Sequence, residues 1–227
     1  QADLNNAHDA LCDLADILGI TPDSLSLGGQ LGLAFGARGR GGNSGVAHYE
    51  PFQVVINLTK TRGAGSLAHE WFHALDNAVA RLSGRRDGFG TEIHNLAGTG
   101  VTIETADAFR TLVRTINKTH LPSRSKKLDL RRRSDYWSTG RELGARAFEA
   151  FVIERLAEYG VTNDYLANIT PESSWEYMAR FSRTLQGSSY PYPTRAELVT
   201  LVPAFSDFVA SIDWPGRQGK VNSLAAA

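Results

Sequence analysis

Residues 66–76 of the chain read SLAHEWFHALD. This stretch predicts the start of an amphipathic helix, because apolar residues recur along it at the three- and four-residue spacing of one helical face. The apolar positions are Leu67, Trp71, Leu75, Val79 and Leu82. His69 and His73 lie off this stripe and one turn apart, so a helix places the two imidazoles side by side. We expect the rest of the fold to be arranged around this helix.

Two histidines placed in this way can share one metal ion, and His-Glu-x-x-His is the pattern of zinc-dependent hydrolases. Glu70 follows the first histidine and is placed to reach a water on that metal, which makes it the candidate general base. The alternative is a helix that carries these side chains as solvated surface residues. A strand-like run and a glycine turn lead into Ser66, and this context favours the metal site. We therefore predict that His69 and His73 bind Zn²⁺.

The composition is that of an ordinary soluble globular protein, with 42% hydrophobic and 21% charged residues in 227. This length suits one large domain or two small ones. No apolar run approaches the length of a membrane span, so no membrane partner is expected. The single Cys12 excludes an internal disulfide framework and fits a reducing compartment. The first residues lack the features of a signal peptide, and we expect a cytoplasmic protein.

A basic segment stands out against a formal net charge of zero, because residues 110–133 hold nine Lys and Arg side chains and one acid. Such a run is usually a solvated loop or helix face, and here the part that follows the helix predicted at 104–117, through Arg133, is predicted to be a partly exposed loop. The alternative is a contact surface for an acidic partner or nucleic acid. The segment lacks interleaved aromatic residues, so weak phosphate contact is the most that it supports. The candidate contact residues are Arg124, Lys126, Lys127, Arg131, Arg132 and Arg133.

Hydrophobic periodicity divides the chain into two parts. Residues 1–83 are expected to hold a helix over 2–19, the metal helix and a small, mainly antiparallel sheet packed on it. The strands are predicted at 31–35, 46–50 and 52–58. Residues 84–227 are expected to be mainly helical, with helices at 104–117, 140–159, 170–186 and 194–212. We therefore predict an α+β protein that forms a single domain over residues 1–227.

A catalytic zinc usually has three protein ligands and an open position for water, so a third ligand is needed. The positions four and six residues after His73 hold Asn77, a poor ligand, and Val79, which cannot bind zinc. The predicted helix that begins near residue 140 is a better source, because Glu142 and Glu149 are seven residues apart and share a face. The residues alone leave both glutamates open, and both could instead be solvated or paired with neighbouring arginines.

The string ELGAR at residues 142–146 resembles the E-x-x-A-D and E-x-x-A-N helices of glutamate-type zinc peptidases. In those helices the first glutamate is the metal ligand. The resemblance implies Glu142 as the third ligand, with Glu149 in reserve. It also implies that Ala145 is small so that the two helices can approach each other.

Longer strings resemble a known family, the zincin-like large polyvalent protein-associated domain of phage and conjugative-element proteins. They are residues 28–39 (GGQLGLAFGARG), 47–51 (AHYEP), 55–60 (VINLTK), 63–76 (GAGSLAHEWFHALD), 136–137 (YW) and 142–150 (ELGARAFEA). The resemblance implies a zincin-like metallopeptidase fold in a multidomain protein of a mobile element. It also implies a bacterial host cell, with possible delivery alongside phage or plasmid DNA, but it does not identify a substrate.

The expected chemistry is hydrolysis of a peptide bond by a metal-activated water, with Glu70 as general base and then general acid. Tyr136 and His48 are the candidate oxyanion partners, and either could be structural instead. Asp76 could orient the His73 imidazole as a hydrogen-bond acceptor, or be a surface acid. Residues 45–50 are the predicted edge strand along which an extended substrate would lie.

Three functions follow from these predictions. The first is an endopeptidase that processes its own parent chain or cleaves a host protein. The second is a non-catalytic, zinc-braced module that binds DNA or a partner through the 110–133 segment. The third is a zinc hydrolase acting on another bond. The intact Glu70 favours an enzyme, because a structural zinc site needs no general base.

Overall fold

The computed structural model describes residues 2–36, 47–59, 63–96, 100–130, 132–182 and 189–214. The helices are α1 (Ala2–Leu18), α2 (Leu67–Leu82), α3 (Ile103–Lys118), α4 (Leu121–Asp129), α5 (Gly140–Glu158), α6 (Glu172–Phe181) and α7 (Arg195–Ser211). The strands are β1 (Gly32–Phe35), β2 (Ala47–Glu50) and β3 (Val55–Leu58). The α+β class and the mainly helical second part are confirmed, while the division into domains stays a prediction. Every helix in the described ranges is too short or too polar to cross a lipid bilayer.

The three strands form a mixed sheet in the order β1-β3-β2, so the prediction of a mainly antiparallel sheet was wrong. β3 is the central strand, and it runs antiparallel to β2 but parallel to β1. β3 is also shorter than predicted, because residues 52–54 form a turn with Phe52 exposed and Val54 at a φ of 53°. Within the described residues β2 lies at the edge of the sheet, as predicted for 47–50; residues 45 and 46 lie outside them.

The core forms where α2 crosses α5. Trp71 and Phe72 of α2 stack on Phe148 of α5, with ring centroids 5.6 and 5.3 Å apart. α5 is buried on all sides from Glu142 to Val152, as expected for a central helix. α5 comes close to α2 at Gly144, where an added Cβ would lie 2.6 Å from Phe72 Cε1. Ala145 beside it is fully buried, and the role that the resemblance implied for its small side chain stays a prediction. The contact at Gly144 sets how near the N-terminal half of α5 comes to the histidines of α2.

Replacing Gly144 by Ala is expected to destabilise the protein by about 1–3 kcal/mol, because an added methyl group has no space in this helix contact. Thermal unfolding followed by circular dichroism would measure the effect. Phe72→Leu removes the obstructing ring edge, so the double variant should lose less stability than the sum of the single variants. A Gly144→Ala variant as stable as the wild type would contradict this account of the packing.

The basic segment contains a helix, α4, where a loop was predicted. Leu121, Ser125 and Asp129 are buried and recur every four residues, so α4 packs through one face. Pro122 lies in the first turn, where a missing N–H has no cost. The helix was not predicted because hydrophobic periodicity detects only apolar residues, and two of the three buried residues, Ser125 and Asp129, are polar.

Candidate metal centre

His69, His73 and Glu142 come together at the crossing of α2 and α5. Glu142 Oε2 lies 3.5 Å from His69 Nε2, and Glu142 Oε1 lies 3.5 Å from His73 Nε2. One possible ligand atom from each residue lies within 4.8 Å of the others, which is close enough for a shared metal ion. His73 and Glu142 are buried, and the side chain of His69 is only 14% exposed.

The start of α2 is held by a segment distant in sequence. The Ala68 N–H donates to Leu166 O, and the Gly65 N–H donates to Tyr165 O. Gly65 has a φ of +85° and its backbone passes so close to Asn168 that a Cβ would lie 2.8 Å away. Ser66 lies at the N-cap position but its side chain makes no capping hydrogen bond. The first turn of α2, which carries His69, is therefore fixed by tertiary contacts.

Glu149, the reserve ligand, lies on the other side of the His69 ring. Its Oε2 accepts a hydrogen bond from His69 Nδ1 at 2.9 Å, while His69 Nε2 faces Glu142. A carboxylate in this position fixes the tautomer and the orientation of a metal-binding imidazole. The geometry therefore supports Glu142 as the ligand and Glu149 as the residue that orients His69.

Glu70 is buried one position from His69 and beside the edge strand. Its carboxylate accepts a hydrogen bond from the Tyr49 backbone N–H of β2. Burial raises the pKa of the Glu70 carboxyl, and the negative charge of Glu142 adds to this, while His69 and His73 lower it. The net direction is upward, which suits a group that must take and return a proton near neutral pH.

Asp76 does not orient His73, so this prediction was wrong. Both Asp76 oxygens accept hydrogen bonds from Thr91, one from its N–H at 2.8 Å and one from its hydroxyl at 2.6 Å. The buried His73 Nδ1 has no hydrogen-bond partner among the described residues. Burial raises the pKa of Asp76 to about 6, although the Thr91 hydrogen bonds and His73 lower it. Asp76 instead anchors the segment after α2, whose Phe89 packs edge-on against His73 at 5.7 Å.

His48 does not lie where the predicted role of oxyanion partner requires it. Tyr49 faces α2 and its hydroxyl donates to Asn77 at 2.8 Å. Side chains alternate along a strand, so His48 and Glu50 point to the opposite face of the sheet. The His48 imidazole is hydrogen-bonded to Glu50 at 3.2 Å. The strand pleat therefore turns His48 away from the α2 histidines.

Tyr136 lies at the cluster, in the loop before α5. Burial raises the pKa of its hydroxyl, and the negative charge of Glu142 and hydrogen bonding to it raise the pKa further. Asp129 positions this loop, since its carboxylate accepts the N–H groups of Tyr136, Trp137 and Ser138 at 2.8–3.0 Å. Tyr136 is still 39% exposed, so its side chain can meet both Glu142 and a bound molecule.

Arg146 is a central residue whose role the sequence analysis missed. It is 2% exposed, and its guanidinium donates to the backbone oxygens of Glu142, Trp137 and Pro191. It therefore joins the Glu142 turn, the Tyr136 loop and the chain before α7. The sequence offered one signal for this role, since Arg146 follows Glu142 by four residues and therefore lies on the same face of a helix. Spacing alone, however, does not distinguish a buried structural arginine from a surface one.

The donor set fits a zinc ion. Two imidazoles and one carboxylate are the protein ligands of many catalytic zinc sites. The buried Glu142 Oε2 lacks a hydrogen-bond partner among the described residues, as expected for an atom that a metal would satisfy. Burial raises the pKa of the Glu142 carboxyl, but the two histidines outweigh it and hold that pKa well below its usual range. Glu142 is therefore ionised, as a ligand must be.

Zinc binding at pH 8 is expected to release about one proton from His69, because a metal-bound imidazole must be neutral, in addition to the proton that a zinc-bound water would lose. Burial lowers the pKa of His69, but Glu149, Glu142 and Glu70 outweigh it and raise that pKa to about 10 in the metal-free cluster. Titration calorimetry in buffers of different ionisation enthalpy would count the protons. The number should fall above pH 10 and should be smaller at pH 8 for Glu149→Gln. A binding enthalpy at pH 8 that does not change with the ionisation enthalpy of the buffer would contradict this expectation.

The basic segment offers less free charge than predicted. Arg124 binds both carboxylate oxygens of Glu197 at 2.9 and 2.6 Å and the backbone oxygens of Tyr190 and Tyr192. It is committed to holding α4 against α7 and is not available for phosphate. Lys126, Lys127, Arg132 and Arg133 are exposed, and Arg132 lies over the Tyr136 ring. Arg131 lies outside the described residues.

The fold and the site define an α+β protein with a buried cluster that could hold a metal ion. Residues 128–213 match the family model described as large polyvalent protein-associated domain 1. The match contains the 136–150 strings, including Tyr136 and Glu142, but not the strings between residues 28 and 76. No curated protein and no solved structure matches the chain.

Proposed function

We propose that this chain is a zinc-dependent endopeptidase with a zincin-like fold. The observation that carries the proposal is the approach of Glu142, from α5, to within 3.5 Å of the Nε2 atoms of both motif histidines. A solvated surface helix would bury neither Glu70 nor His73 and would need no carboxylate opposite them. Glu70 lies beside the same cluster, where a structural zinc site would have no use for it.

Zinc held by His69, His73 and Glu142 would lower the pKa of a water molecule to about 7 and polarise the scissile carbonyl. Glu70 takes the proton from the attacking water and later delivers it to the leaving amine. Burial keeps solvent water away from the Glu70 carboxylate, and the hydrogen bond from the Tyr49 N–H holds it in one orientation. Glu149 keeps His69 in the tautomer that presents Nε2 to the cluster.

Tyr136 is the better supported oxyanion partner. Its raised pKa keeps the phenol protonated at neutral pH, so it can donate a hydrogen bond to developing negative charge. Asp129 holds the loop on which it lies. His48, turned to the other face of the sheet, is set aside for this role.

The proposed substrate is an extended peptide that adds to the sheet at β2. Within the described residues β2 is one of two edge strands, the other being β1. The Tyr49 backbone of β2 contacts Glu70, so this edge passes beside the general base. A place in a phage or mobile-element multidomain protein, in the cytoplasm of a bacterial host, is part of this proposal. Its support is the resemblance of the sequence strings, together with the match of residues 128–213 to a polyvalent protein-associated domain. Self-processing or cleavage of a host protein are the two roles that fit such a protein.

The DNA-binding alternative loses Arg124, which is tied to Glu197, although Lys126, Lys127, Arg132 and Arg133 are exposed. A direct test separates it from the enzyme. Purified protein is analysed for metal and incubated with a mixed peptide library and with simple esters, with and without a chelator. One zinc per chain and chelator-sensitive peptide cleavage are expected. Ester cleavage alone would favour another zinc hydrolase, and zinc with no hydrolysis would favour the non-catalytic module.

A further inference from the structure

A cavity lies beside the C-terminal half of α2, and the metal cluster of His69, His73 and Glu142 contributes no residue to its lining. Its volume is about 520 Å³, which is within the range of sites that enclose small organic molecules. Its apolar wall is formed by Leu27, Val54, Leu75, Val79, Val101 and Trp214. These residues come from five separate parts of the chain, so the cavity is a product of the tertiary fold.

The charged groups that line this cavity are Arg81, Arg86 and Asp213. No carboxylate of the described residues lies within ion-pair distance of Arg81 or Arg86. Arg81 is instead hydrogen-bonded to the Tyr49 hydroxyl, a neutral partner that leaves its charge uncompensated. The lining therefore combines an apolar wall with an excess of positive charge, which suits an anionic head group on an apolar body.

The walls of the cavity are preformed. Asn77 donates to the backbone oxygens of Arg86 and Gly88 at 3.0 and 2.7 Å, which fixes the turn that carries Arg86. The hydroxyl of Tyr49 donates to Asn77 and joins this turn to the edge strand. A site held in this way loses little conformational entropy when a ligand binds.

Backbone strain is concentrated at the same place. Among the described residues, Leu27 and Val54 are the non-glycine residues with positive φ, at 52° and 53°, and both line the cavity. A β-branched residue in this region is a clear outlier. Such strain collects at ligand sites, where the surrounding structure maintains it. Two strained residues from different loops therefore meet at one cavity.

We propose that this cavity binds an amphipathic organic monoanion, with a carboxylate-type head group at Arg81 and an apolar body between Val79 and Trp214. The probe pair for a test is 2-naphthoate and its neutral analogue 2-naphthamide. They share one apolar body and differ in charge. The proposal is independent of hydrolysis at the metal cluster, because the readout is binding to a site that shares none of its residues.

Titration calorimetry on the wild type is expected to give a Kd for 2-naphthoate at least tenfold lower than for 2-naphthamide. Arg81→Gln and, separately, the exposed Arg86→Gln should reduce this preference, while binding of the amide stays unchanged. Arg85→Gln is the matched control, because Arg85 is an exposed neighbour that does not line the cavity. Ala78→Trp fills the cavity and should abolish binding of both compounds.

The proposal would be overturned if the wild type does not bind 2-naphthoate, if it binds acid and amide equally, or if Ala78→Trp keeps full binding. Thermal unfolding of each variant shows whether it is folded, and Arg86→Gln keeps the charge test valid if Arg81→Gln is destabilised. Carboxylate binding to zinc is separated by repeating the titration on Glu142→Ala. Loss of 2-naphthoate binding there would assign it to the metal and also overturn the proposal.

Discussion

Glu142→Ala is expected to lose zinc, whereas Glu149→Ala is expected to retain it with an affinity about 10–100-fold weaker. The reason is the geometry of the two carboxylates. Glu142 lies 3.5 Å from both Nε2 atoms, while Glu149 meets only His69 Nδ1. Removing a ligand therefore costs more affinity than removing the residue that orients one. Zinc per chain after dialysis, and competition with a chelator of known affinity, would measure both effects.

Glu154→Ala is the matched control for this pair, because Glu154 lies on the same helix α5 but outside the cluster. It should bind zinc like the wild type. Circular dichroism would confirm that Glu142→Ala keeps its helices, since a buried carboxylate is being removed. Zinc lost from Glu149→Ala and kept by Glu142→Ala would reverse the assignment of the third ligand.

Glu70→Gln is expected to lower kcat/KM for peptide cleavage by a factor of about 10²–10⁴ or more while zinc binding is kept. Glutamine has nearly the same shape and can still accept the Tyr49 N–H, but it cannot take a proton from water. The measurement combines kcat/KM with zinc content on the same preparation. Retained proteolysis in this variant would remove Glu70 from the mechanism.

Glu92→Gln controls for the loss of one carboxylate near the site. Glu92 is exposed and lies 3.8 Å from Arg141, so its neutralisation should leave activity within about twofold of the wild type. A large loss in Glu92→Gln would show that activity responds to net charge around the cluster. The effect of Glu70→Gln could then not be assigned to proton transfer.

Some features were predictable because they depend on local spacing. The spacing of apolar residues in α2 predicts that this segment is a helix, and His69 and His73 share a face on any helix. The same rule put Glu142 and Glu149 on one face of α5. Other features depend on how elements meet. The direction of β3, the partner of Asp76 and the ion pair of Arg124 with Glu197 all depend on contacts between residues far apart in the sequence.

The sequence by itself therefore determined the helices other than α4, the pairing of the two histidines and the small set of carboxylates that could join them. Tertiary structure decided which of these carboxylates faces the Nε2 atoms, because that depends on the close approach of α5 to α2 at Gly144. It also turned His48 away and recruited Arg146 to hold the Tyr136 loop. Spacing along a helix is set by the backbone of that helix, whereas the partner across a contact is set by the packing of the whole core.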